Sequence, residues 1–372
     1  MSRSARVGAA SGAAALLALA AAGPARAGDA PAWQLSVQSD RHVDALPLRA
    51  IGDDEAWSRL APRAGRNLGY LFDELRLSRT VADADGAWTT SLVARQRLVA
   101  VASEGALDLI RQAESSTDPA GDRRWRVDLD YLGFAGVGLE VGRRFVLGGG
   151  WQAELAGQGL SLRRLIARGV HGQAAYQAAD ARYDAALVSD KTDDRMTFPF
   201  QQPQAGQGWA LLLHAGLRWQ ADDWQAELRW RDAGWLRWRG LPQQAATLST
   251  ALRDVDTDGF VIYRPLVEGR NRQTGWHRTL APLTTAALAW RAAPQRTWRA
   301  QLAWLPGWGA LPQVGVTEAV GDATRVSLDW QVRERRAVAA LDHAGWRVSL
   351  GTDRLTDARS LALGLSWRVD GP

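Results

Sequence analysis

Apolar residues recur at every second position over most of this chain, in short runs separated by turns rich in Gly, Asp and Pro. Between positions 224 and 230, the residues Trp224, Ala226, Leu228 and Trp230 alternate with Gln, Glu and Arg. The same alternation occurs at 125–131, 298–304, 326–332 and 361–367. Because successive side chains of a β-strand point to opposite faces, this period predicts strands with one apolar and one polar face.

Tryptophan marks the ends of these predicted strands. The chain has 19 Trp, against 6 Phe and 5 Tyr. The residues at predicted strand ends are Trp209, Trp219, Trp224, Trp230, Trp290, Trp298, Trp304, Trp346 and Trp367. Trp suits the boundary between hydrocarbon and water, and strands of about 8–11 residues cross a tilted barrel wall. We therefore predict an all-β fold, an antiparallel transmembrane β-barrel, with a secreted β-sandwich or propeller as the alternative.

The number of strands follows from counting the alternating runs. Sixteen runs qualify, including separate ones that begin near Arg124, Ala135, Trp151 and Gly172. Bacterial barrels usually have an even number of strands. We predict about 14 strands, with 12 to 16 as the range.

The N-terminus has the features of a cleaved bacterial signal peptide. Arg3 and Arg6 precede an apolar stretch at 9–22, and Ala25-Arg26-Ala27 fits the small-x-small cleavage pattern. We predict a signal peptide over 1–27 and location in the bacterial outer membrane. The leader carries three Arg and no acid, so the formal charge of +5 becomes +2 without it. The charge therefore gives no reason to expect a nucleic-acid partner.

Composition excludes several other classes of protein. The chain is 46% hydrophobic, which is too apolar for a disordered protein. It has no Cys, which excludes disulfide scaffolds and thiol chemistry. No apolar window of helical-span length follows the leader. The predicted partners are outer-membrane lipid and the barrel-assembly machinery, with no cofactor and no assigned oligomeric state.

Three segments interrupt the alternation. Residues 28–66 are predicted to be an N-terminal plug or periplasmic segment, ahead of a barrel over 67–372. Residues 103–115 are predicted to form a short helix with Ser103 as its N-cap. Residues 239–283 are predicted to be a long loop, and loops of this length are usually functional or mobile.

Polar residues of both signs occupy the positions predicted to face the lumen. They are Arg126, Asp128, Asp130, His214, Arg218, Glu227, Arg229, Arg231, Arg325, Asp329, Arg333 and Arg347. One hypothesis is a water-filled pore whose Arg residues favour anions. The other is a lumen closed by Arg–carboxylate networks, and small or apolar residues such as Ala210, Leu212 and Gly216 lean toward a filled lumen. Arg229 and Arg231 are predicted to pair with Glu227 and with an acidic residue on another strand.

Two groups of residues are of types that can bind a metal ion or take part in catalysis. Asp254, Asp256 and Asp258 precede Gly259 as in a calcium loop, but position 12 of that loop is Pro265 instead of Glu. We interpret them as an acidic turn and predict no metal. His214 and His171 are the candidates for a barrel hydrolase, but no Ser-containing signature accompanies them. We predict that the protein is not an enzyme and that no residue is catalytic.

A stretch at 206–260 resembles a known family. Its residues Asp232, Gly234, Arg237 and Trp238 resemble a motif in an uncharacterised family of outer-membrane barrel proteins, which is distantly similar to long-chain fatty-acid transporters. The resemblance implies a barrel fold and an outer-membrane location but no substrate. From the residues, the motif reads as a β-bulge at Asp232 and Gly234.

These observations predict a passive channel or transporter for small or hydrophobic solutes. The alternative is a closed structural or accessory barrel of a secretion or surface-polymer system. A barrel hydrolase is the third hypothesis.

Overall fold

A computed structural model describes residues 32–115, 117–199, 201, 207–251, 253–255, 261–263 and 266–369. The predicted signal peptide lies outside the described residues, as do Asp256, Asp258 and Gly259 of the calcium-like motif.

The described part of the chain contains one α-helix, α1 (Glu104–Ser115), and eighteen strands. The strands are β1 (Ala32–Val43), β2 (Arg66–Asp83), β3 (Gly86–Ser103), β4 (Arg123–Gly148), β5 (Trp151–Gln177), β6 (Arg182–Asp193), β7 (Gln207–Ala221), β8 (Trp224–Ser249), β9 (Arg253–Val255), β10 (Val261–Tyr263), β11 (Val267–Leu280), β12 (Leu283–Ala293), β13 (Arg296–Leu305), β14 (Gly309–Ala319), β15 (Thr324–Gln331), β16 (Arg336–His343), β17 (Trp346–Thr352) and β18 (Ser360–Val369). Three short 3₁₀ helices lie at Leu48–Ala50, Asp54–Arg59 and Ala178–Asp180.

Fourteen of these strands close into one antiparallel barrel. Their order around the wall is β1-β2-β3-β4-β5-β7-β8-β12, followed by β13 to β18, and β18 pairs with β1. The closing ladder runs from Trp33 opposite Val369 to His42 opposite Ser360. A closed ladder leaves no edge of unpaired backbone groups, as a hydrocarbon environment requires. The predicted transmembrane barrel of about 14 strands is confirmed.

The apolar faces of the strands point outward. On β7, the outward residues Leu211 and Leu213 are exposed, whereas the intervening Leu212 is fully buried. Trp pairs from adjacent strands lie at the end of the barrel where β1 begins and β18 ends, which also has the short turns and is here called the turn end. These pairs are Trp151 with Trp219, Trp224 with Trp290, and Trp346 with Trp367. An apolar band with aromatic residues at its border is the surface that a bilayer requires.

The wall is uneven in height. β4, β5 and β8 have 26 or 27 residues, whereas β12 to β18 have 7 to 11. The predicted strands at Arg124 and Ala135 are therefore one strand, with a bulge in its pairing to β5 beside Ala135. The predicted strands at Trp151 and Gly172 are likewise one strand. Toward the far ends of the long strands, β5 pairs with β6 instead of β7, and β8 pairs with β6 and β11 instead of β7 and β12.

The barrel takes up more of the chain than the sequence indicated. Residues 32–43, which fell within the predicted plug or periplasmic segment, form barrel strand β1, and only 44–65 leave the wall. Most of the predicted loop at 239–283 is strand, because β8 continues to Ser249 and pairs with β11. Trp33, Leu35 and Val37 of β1 alternate as in the other wall strands. In the second segment apolar alternation weakens, since that part of β8 lies beyond the end of the bilayer-facing band.

The predicted helix at 103–115 is confirmed as α1. The Ser103 hydroxyl accepts a hydrogen bond from Ala106 N at 3.1 Å, which is the contact of an N-cap. Its residues Ala106 and Leu107 are buried against two small apolar clusters at the mouth, the barrel end opposite the turn end. Trp125 Nε1 of β4 donates to Asp108 Oδ2 at 2.7 Å and fixes the helix to the wall. No helix among the described residues is long and apolar enough to cross a membrane.

The outward face at mid-wall gives a direct test of the membrane orientation. Leu213 is 48% exposed and lies between the Trp residues of β7, whereas Leu355 is 98% exposed in the β17–β18 loop. We expect Leu213→Arg to lower the free energy of unfolding from lipid vesicles by about 2–4 kcal/mol, because Arg is costly at the bilayer midplane. Leu355→Arg serves as the control and should change it little. Equal effects of the two variants in urea titrations would place the outward face in water.

Candidate functional site in the barrel lumen

Side chains from opposite sides of the barrel contact one another across its mouth. Leu68 and Tyr70, on the inner face of β2, are buried in a cluster with Leu305 at the end of β13. Trp308, in the turn after β13, and Leu283 of β12 pack against the same cluster. Since β2 and β12–β13 lie on different sides of the ring, these contacts span the lumen.

Polar contacts tie the same strands to the turns of the short side. The Tyr70 hydroxyl donates to Glu334 Oε1 at 2.9 Å in the β15–β16 turn. The guanidinium of Arg336, fully buried at the start of β16, donates to Asp40 Oδ1 of β1 at 2.7 Å. Together with the apolar cluster, they connect opposite sides of the mouth.

Asp44, directly after β1, is a fully buried carboxylate at the mouth. Leu68 N donates to its Oδ2 at 2.8 Å, His42 Nε2 lies 3.0 Å from its Oδ1, and Arg63 NH1 lies 3.0 Å from its Oδ1. Arg333 also forms an ion pair with it. Burial alone raises the pKa of Asp44, but the hydrogen bonds from His42 and Leu68 and the charges of His42 and Arg333 outweigh it and hold the pKa below its ordinary value.

Below the mouth, charged side chains from β2, β3, β4, β5, β7 and β8 form one connected group, here called the lumen network. Its members are Glu74, Arg76, Arg95, Arg97, Glu140, Gln158, His214, Arg231 and Asp232. All of these side chains point inward, whereas the apolar residues that alternate with them point toward lipid.

Asp232 is the most heavily bonded member of the lumen network. Arg95 donates to both of its carboxylate oxygens, at 2.7 and 2.9 Å, and Arg97 donates to Oδ2 at 2.6 Å. All three side chains are buried. Two-oxygen contacts between a guanidinium and a carboxylate are among the strongest charge-assisted hydrogen bonds. Buried ions without such partners would be costly, so the three side chains depend on one another.

The rest of the lumen network centres on Glu140. Arg76 binds both of its carboxylate oxygens, and Gln158 Nε2 donates to Oε2 at 2.8 Å. His214 Nε2 lies 3.3 Å from the same Oε2. Gln158 Oε1 accepts from Arg95 at 3.1 Å, which joins the Glu140 and Asp232 parts into one network.

Three ion pairs of the lumen network join β8 to strands that are not its neighbours. Arg231 NH2 of β8 lies 3.1 Å from Glu74 Oε2 of β2, and Arg95 and Arg97 of β3 both reach Asp232 of β8. β8 follows β3, β4, β5 and β7 around the wall, so it is not a neighbour of β2 or β3. The lumen is therefore narrow at the level of these pairs.

A β-bulge aims Asp232 into the lumen, as the predicted bulge requires. The register between β7 and β8 shifts between Leu213 and Ala215, opposite Asp232, which has a φ of 66°. His214 Nδ1 accepts from Asp232 N at 3.1 Å and satisfies the amide that the bulge frees. Gly234 follows, where an added Cβ would lie 2.0 Å from Leu211 O, so only Gly fits.

The other two residues of the motif lie on opposite faces. Trp238 points inward, and an added Cβ at Gly208 would lie 2.1 Å from its ring. Arg237 is exposed on the outer face. Trp238 belongs to an apolar cluster that fills one side of the lumen. The cluster contains Phe134, Leu160, Leu162, Leu165, Ala210, Leu212, Leu236, Trp238, Leu241 and Leu280.

A cavity of about 320 Å³ lies on the other side of the lumen, between the lumen network and the inner face of β1, β17 and β18. Glu74, Arg95, Arg231 and Asp232 border it on the network side. Its other walls are of mixed character and include Phe72, Leu283, Arg347, Ser349, Ala362 and Gly364.

The predicted lumen-facing residues have several different locations. Of the twelve, His214 and Arg231 belong to the lumen network. Glu227 pairs with Arg229 at 2.5 Å, Asp329 with Arg299, and Arg347 with Asp342 at 3.0 Å. Arg218 donates to Gln225 at 2.9 Å near the turn end, where Arg325 is also exposed.

Four of the predicted residues lie outside the lumen wall of the bilayer-facing band. Arg333 is in the β15–β16 turn at the mouth, because β15 ends at Gln331. Arg126, Asp128 and Asp130 lie on the part of β4 that extends beyond the short strands, and they are exposed. Their alternation is the same as in the bilayer-facing wall. Alternation indicates that a segment is a strand, but it does not indicate where along the barrel axis that strand part lies.

Six members of the lumen network were absent from the sequence-based set. They are Glu74, Arg76, Arg95, Arg97, Gln158 and Glu140. Their signal was present, because Arg95 and Arg97 alternate with outward residues of β3 as other lumen residues do. Asp232 was noted only for its bulge.

A possible metal-ligand group lies on the extended part of β4 and β5. Ligand atoms of Asp128, Asp130 and His171 lie within 4.8 Å of one another. His171 Nδ1 is 2.9 Å from Asp128 Oδ1, and its Nε2 is 3.6 Å from Asp130 Oδ1. All three are exposed, and contacts of the imidazole with the two carboxylates account for the arrangement, so we assign no metal to it.

No protein-family model matches the sequence, and no curated protein matches it either. Several solved structures align with nearly the full chain, among them the following three. The TodX deltaS2S3 mutant monoaromatic hydrocarbon channel aligns at 10% identity with a TM-score of 0.46, covering 92% of this chain and 91% of its own. The Ralstonia pickettii toluene transporter TbuX aligns at 7% identity with a TM-score of 0.35, covering 93% of this chain and 90% of its own. A Pseudomonas aeruginosa FadL homologue aligns at 11% identity with a TM-score of 0.32, covering 91% of this chain and 88% of its own. Since these TM-scores are below 0.5, the fold is assigned from the strand pairing of the chain itself.

The buried Asp232 site predicts a large effect on stability. We expect Asp232→Ala to lower the free energy of unfolding by about 3–5 kcal/mol, because it removes the carboxylate that Arg97 pairs with and leaves the buried Arg95 with only Gln158 and the more distant Glu74. Asp342→Ala, which breaks the exposed pair with Arg347, is the matched control and should cost at most about 1 kcal/mol. Urea titration in vesicles measures both. Similar values for the two variants would mean that water reaches the Asp232 site.

Asp44 predicts a loss of stability in acid. Its lowered pKa in the folded protein means that its contribution is complete above the ordinary carboxyl value near 3.8 and is lost as the pH falls through the folded value. Asp44→Asn should therefore destabilise the protein at about pH 6, and the difference from the wild type should shrink at about pH 3. Asp357→Asn, in the exposed pair with Arg49, is the control and should show little effect at either pH. A difference that does not change with pH would contradict the assignment.

Proposed function

We propose that this protein is an outer-membrane channel for the passive entry of small solutes, including hydrophobic ones, and that the lumen network keeps it narrow at rest. The observation that carries the proposal is the cavity of about 320 Å³ next to the cross-lumen pairs. Its volume is at the lower end of the range of small-molecule sites. An apolar part of a solute would contact Phe72 and Leu283, and a polar part would meet Arg231 or Glu74.

The cross-lumen pair of Arg231 and Glu74 is the part of the narrow level best suited to open. Side chains of the Asp232 site are nearly fully buried, but the Arg231 side chain is 39% exposed. A partly exposed ion pair is worth far less than a buried one, so thermal motion can break it without unfolding the wall. Separation of Arg231 from Glu74 would join the cavity to the space on the other side of the lumen.

A closed accessory barrel is the second candidate, because the Leu68, Tyr70 and Leu305 cluster spans the mouth. In that case the cavity would be a packing defect with no path to either side. The hydrolase hypothesis has less support, since His214 is committed to Glu140 and to the backbone of the bulge. We also propose that the chain has a cleaved signal peptide. We further propose that it is related to the uncharacterised barrel family that its 206–260 stretch resembles.

Conductance separates the channel from the closed barrel. We expect Glu74→Ala combined with Arg231→Ala to raise single-channel conductance and the rate of liposome swelling with small uncharged solutes severalfold. Both partners are removed, so neither charge remains buried and alone. Arg296→Ala with Glu318→Ala removes an exposed pair at the turn end and is the matched control. Absence of conductance and swelling in both the wild type and the lumen variant would support the closed barrel instead.

A further inference from the structure

Three arginines lie on the outer face of the barrel at the mouth side of β5 and β8. Leu162, Leu236 and Trp238 are buried in the lumen cluster, so their strand neighbours Arg163, Arg237 and Arg239 lie on the opposite face. All three are exposed. We call Arg163, Arg237 and Arg239 the arginine patch.

The arginine patch lies at the border of the apolar band. Trp219 marks the turn end of β7, and Trp209 is ten residues away on the same strand. Ten residues span about 33 Å along a strand. At the tilt of about 40° found in such barrels, this corresponds to a height of about 25 Å, which is the height of a bilayer-facing band. Trp209 therefore marks the opposite border.

Strand register places the arginine patch beside and just beyond Trp209. Arg237 pairs with Trp209, and Arg239 pairs with Gln207, one step farther toward the mouth. Arg163 follows Leu162, whose partner on β7 is Gly208. Arg163 and Arg239 are thus on strands two apart, about 10 Å from each other, within reach of one ligand for long side chains.

Two other outward-facing arginines near this height have acidic partners. Arg41 pairs with Asp73 at 2.8 Å, and Arg164 pairs with Asp193 at 2.5 Å. Among the described residues, no ion pair involves any of the three residues of the patch. Three guanidiniums next to Leu211 and Trp235, which are exposed on the apolar band, form a surface with separate ionic and apolar parts.

We propose that the arginine patch binds the phosphate groups of an anionic lipid in the leaflet at the mouth side, with the acyl chains lying against Leu211 and Trp235. Guanidinium is the cation that matches phosphate oxygens in two-point hydrogen bonds. The position fits, because the headgroup region begins where the apolar band ends. This inference rests on the transmembrane fold and is independent of whether the lumen conducts.

Lipid titration of the purified, folded barrel in detergent tests the proposal. The probe is a bis-phosphorylated glycolipid, lipid A, and the comparison ligand is the same lipid without its phosphates. Binding is measured by native mass spectrometry. We expect the wild type to prefer the phosphorylated lipid. A triple variant, Arg163→Gln, Arg237→Gln and Arg239→Gln, should bind it about 100-fold more weakly, since each basic residue near an anionic lipid surface contributes about fivefold.

Two further variants control for charge and for folding. Arg124→Gln removes an exposed arginine of β4 whose partner Ala175 lies 12 residues beyond Arg163 along β5, and it should bind like the wild type. Replacement of all three patch residues by Lys keeps the charge and should restore most of the affinity. Heat-modifiable electrophoretic mobility shows whether each variant is folded.

Three outcomes would overturn the proposal. The first is a wild type that does not discriminate between the two lipids, and the second is a Gln triple variant that binds like the wild type. The third is inorganic phosphate that binds the wild type as tightly as the lipid does, which would identify a free anion as the ligand. Conductance measurements on the same variants keep this result separate from the proposed channel activity, which the patch does not affect.

Discussion

The need to pair every backbone N–H and C=O inside hydrocarbon governs this structure. A sheet in lipid meets that need only when its first and last strands join, and here β18 pairs with β1 over ten residues. Once the ring is closed, each strand has one face toward lipid and one toward the lumen. The apolar outer face, the Trp residues at its borders and the polar interior all follow from this single condition.

The interior then depends on how the ring is built above the bilayer. Strands of 26 or 27 residues stand beside strands of 7 to 11, so the tall side has no partner at the same height across the lumen. Contact of β2 with the end of β13 and the turn after it buries Tyr70 and Leu305, and Arg63 and Arg333 pair with the buried Asp44 beside them. The uneven wall and the contacts across the mouth are therefore two aspects of one arrangement.

Sequence reasoning predicted the local features and missed those that depend on the closed ring. Alternation was enough for the strands, their faces and the approximate strand number, because these depend on neighbouring residues. The bulge at Asp232 was also visible locally. Its partners Arg95 and Arg97 lie more than 130 residues earlier on β3, and nothing in the pattern of β8 identifies them. Height along the barrel was equally inaccessible, which is why Asp128 and Asp130 were placed in the lumen.

Arg229 and Arg231 show how the closed ring gives different roles to residues that look alike in sequence. They are two apart on β8 and share the lumen face, and the alternation around them is the same. Arg229 pairs with Glu227 on its own strand, whereas Arg231 crosses to Glu74 of β2. A side chain that finds its partner on its own strand leaves the space in front of it open, and one that reaches across closes it. The lumen therefore narrows within two residues along β8, immediately before the bulge that directs Asp232 inward, and a solute that moves from the turn end toward the mouth would meet the Arg231 pair before the buried part of the network.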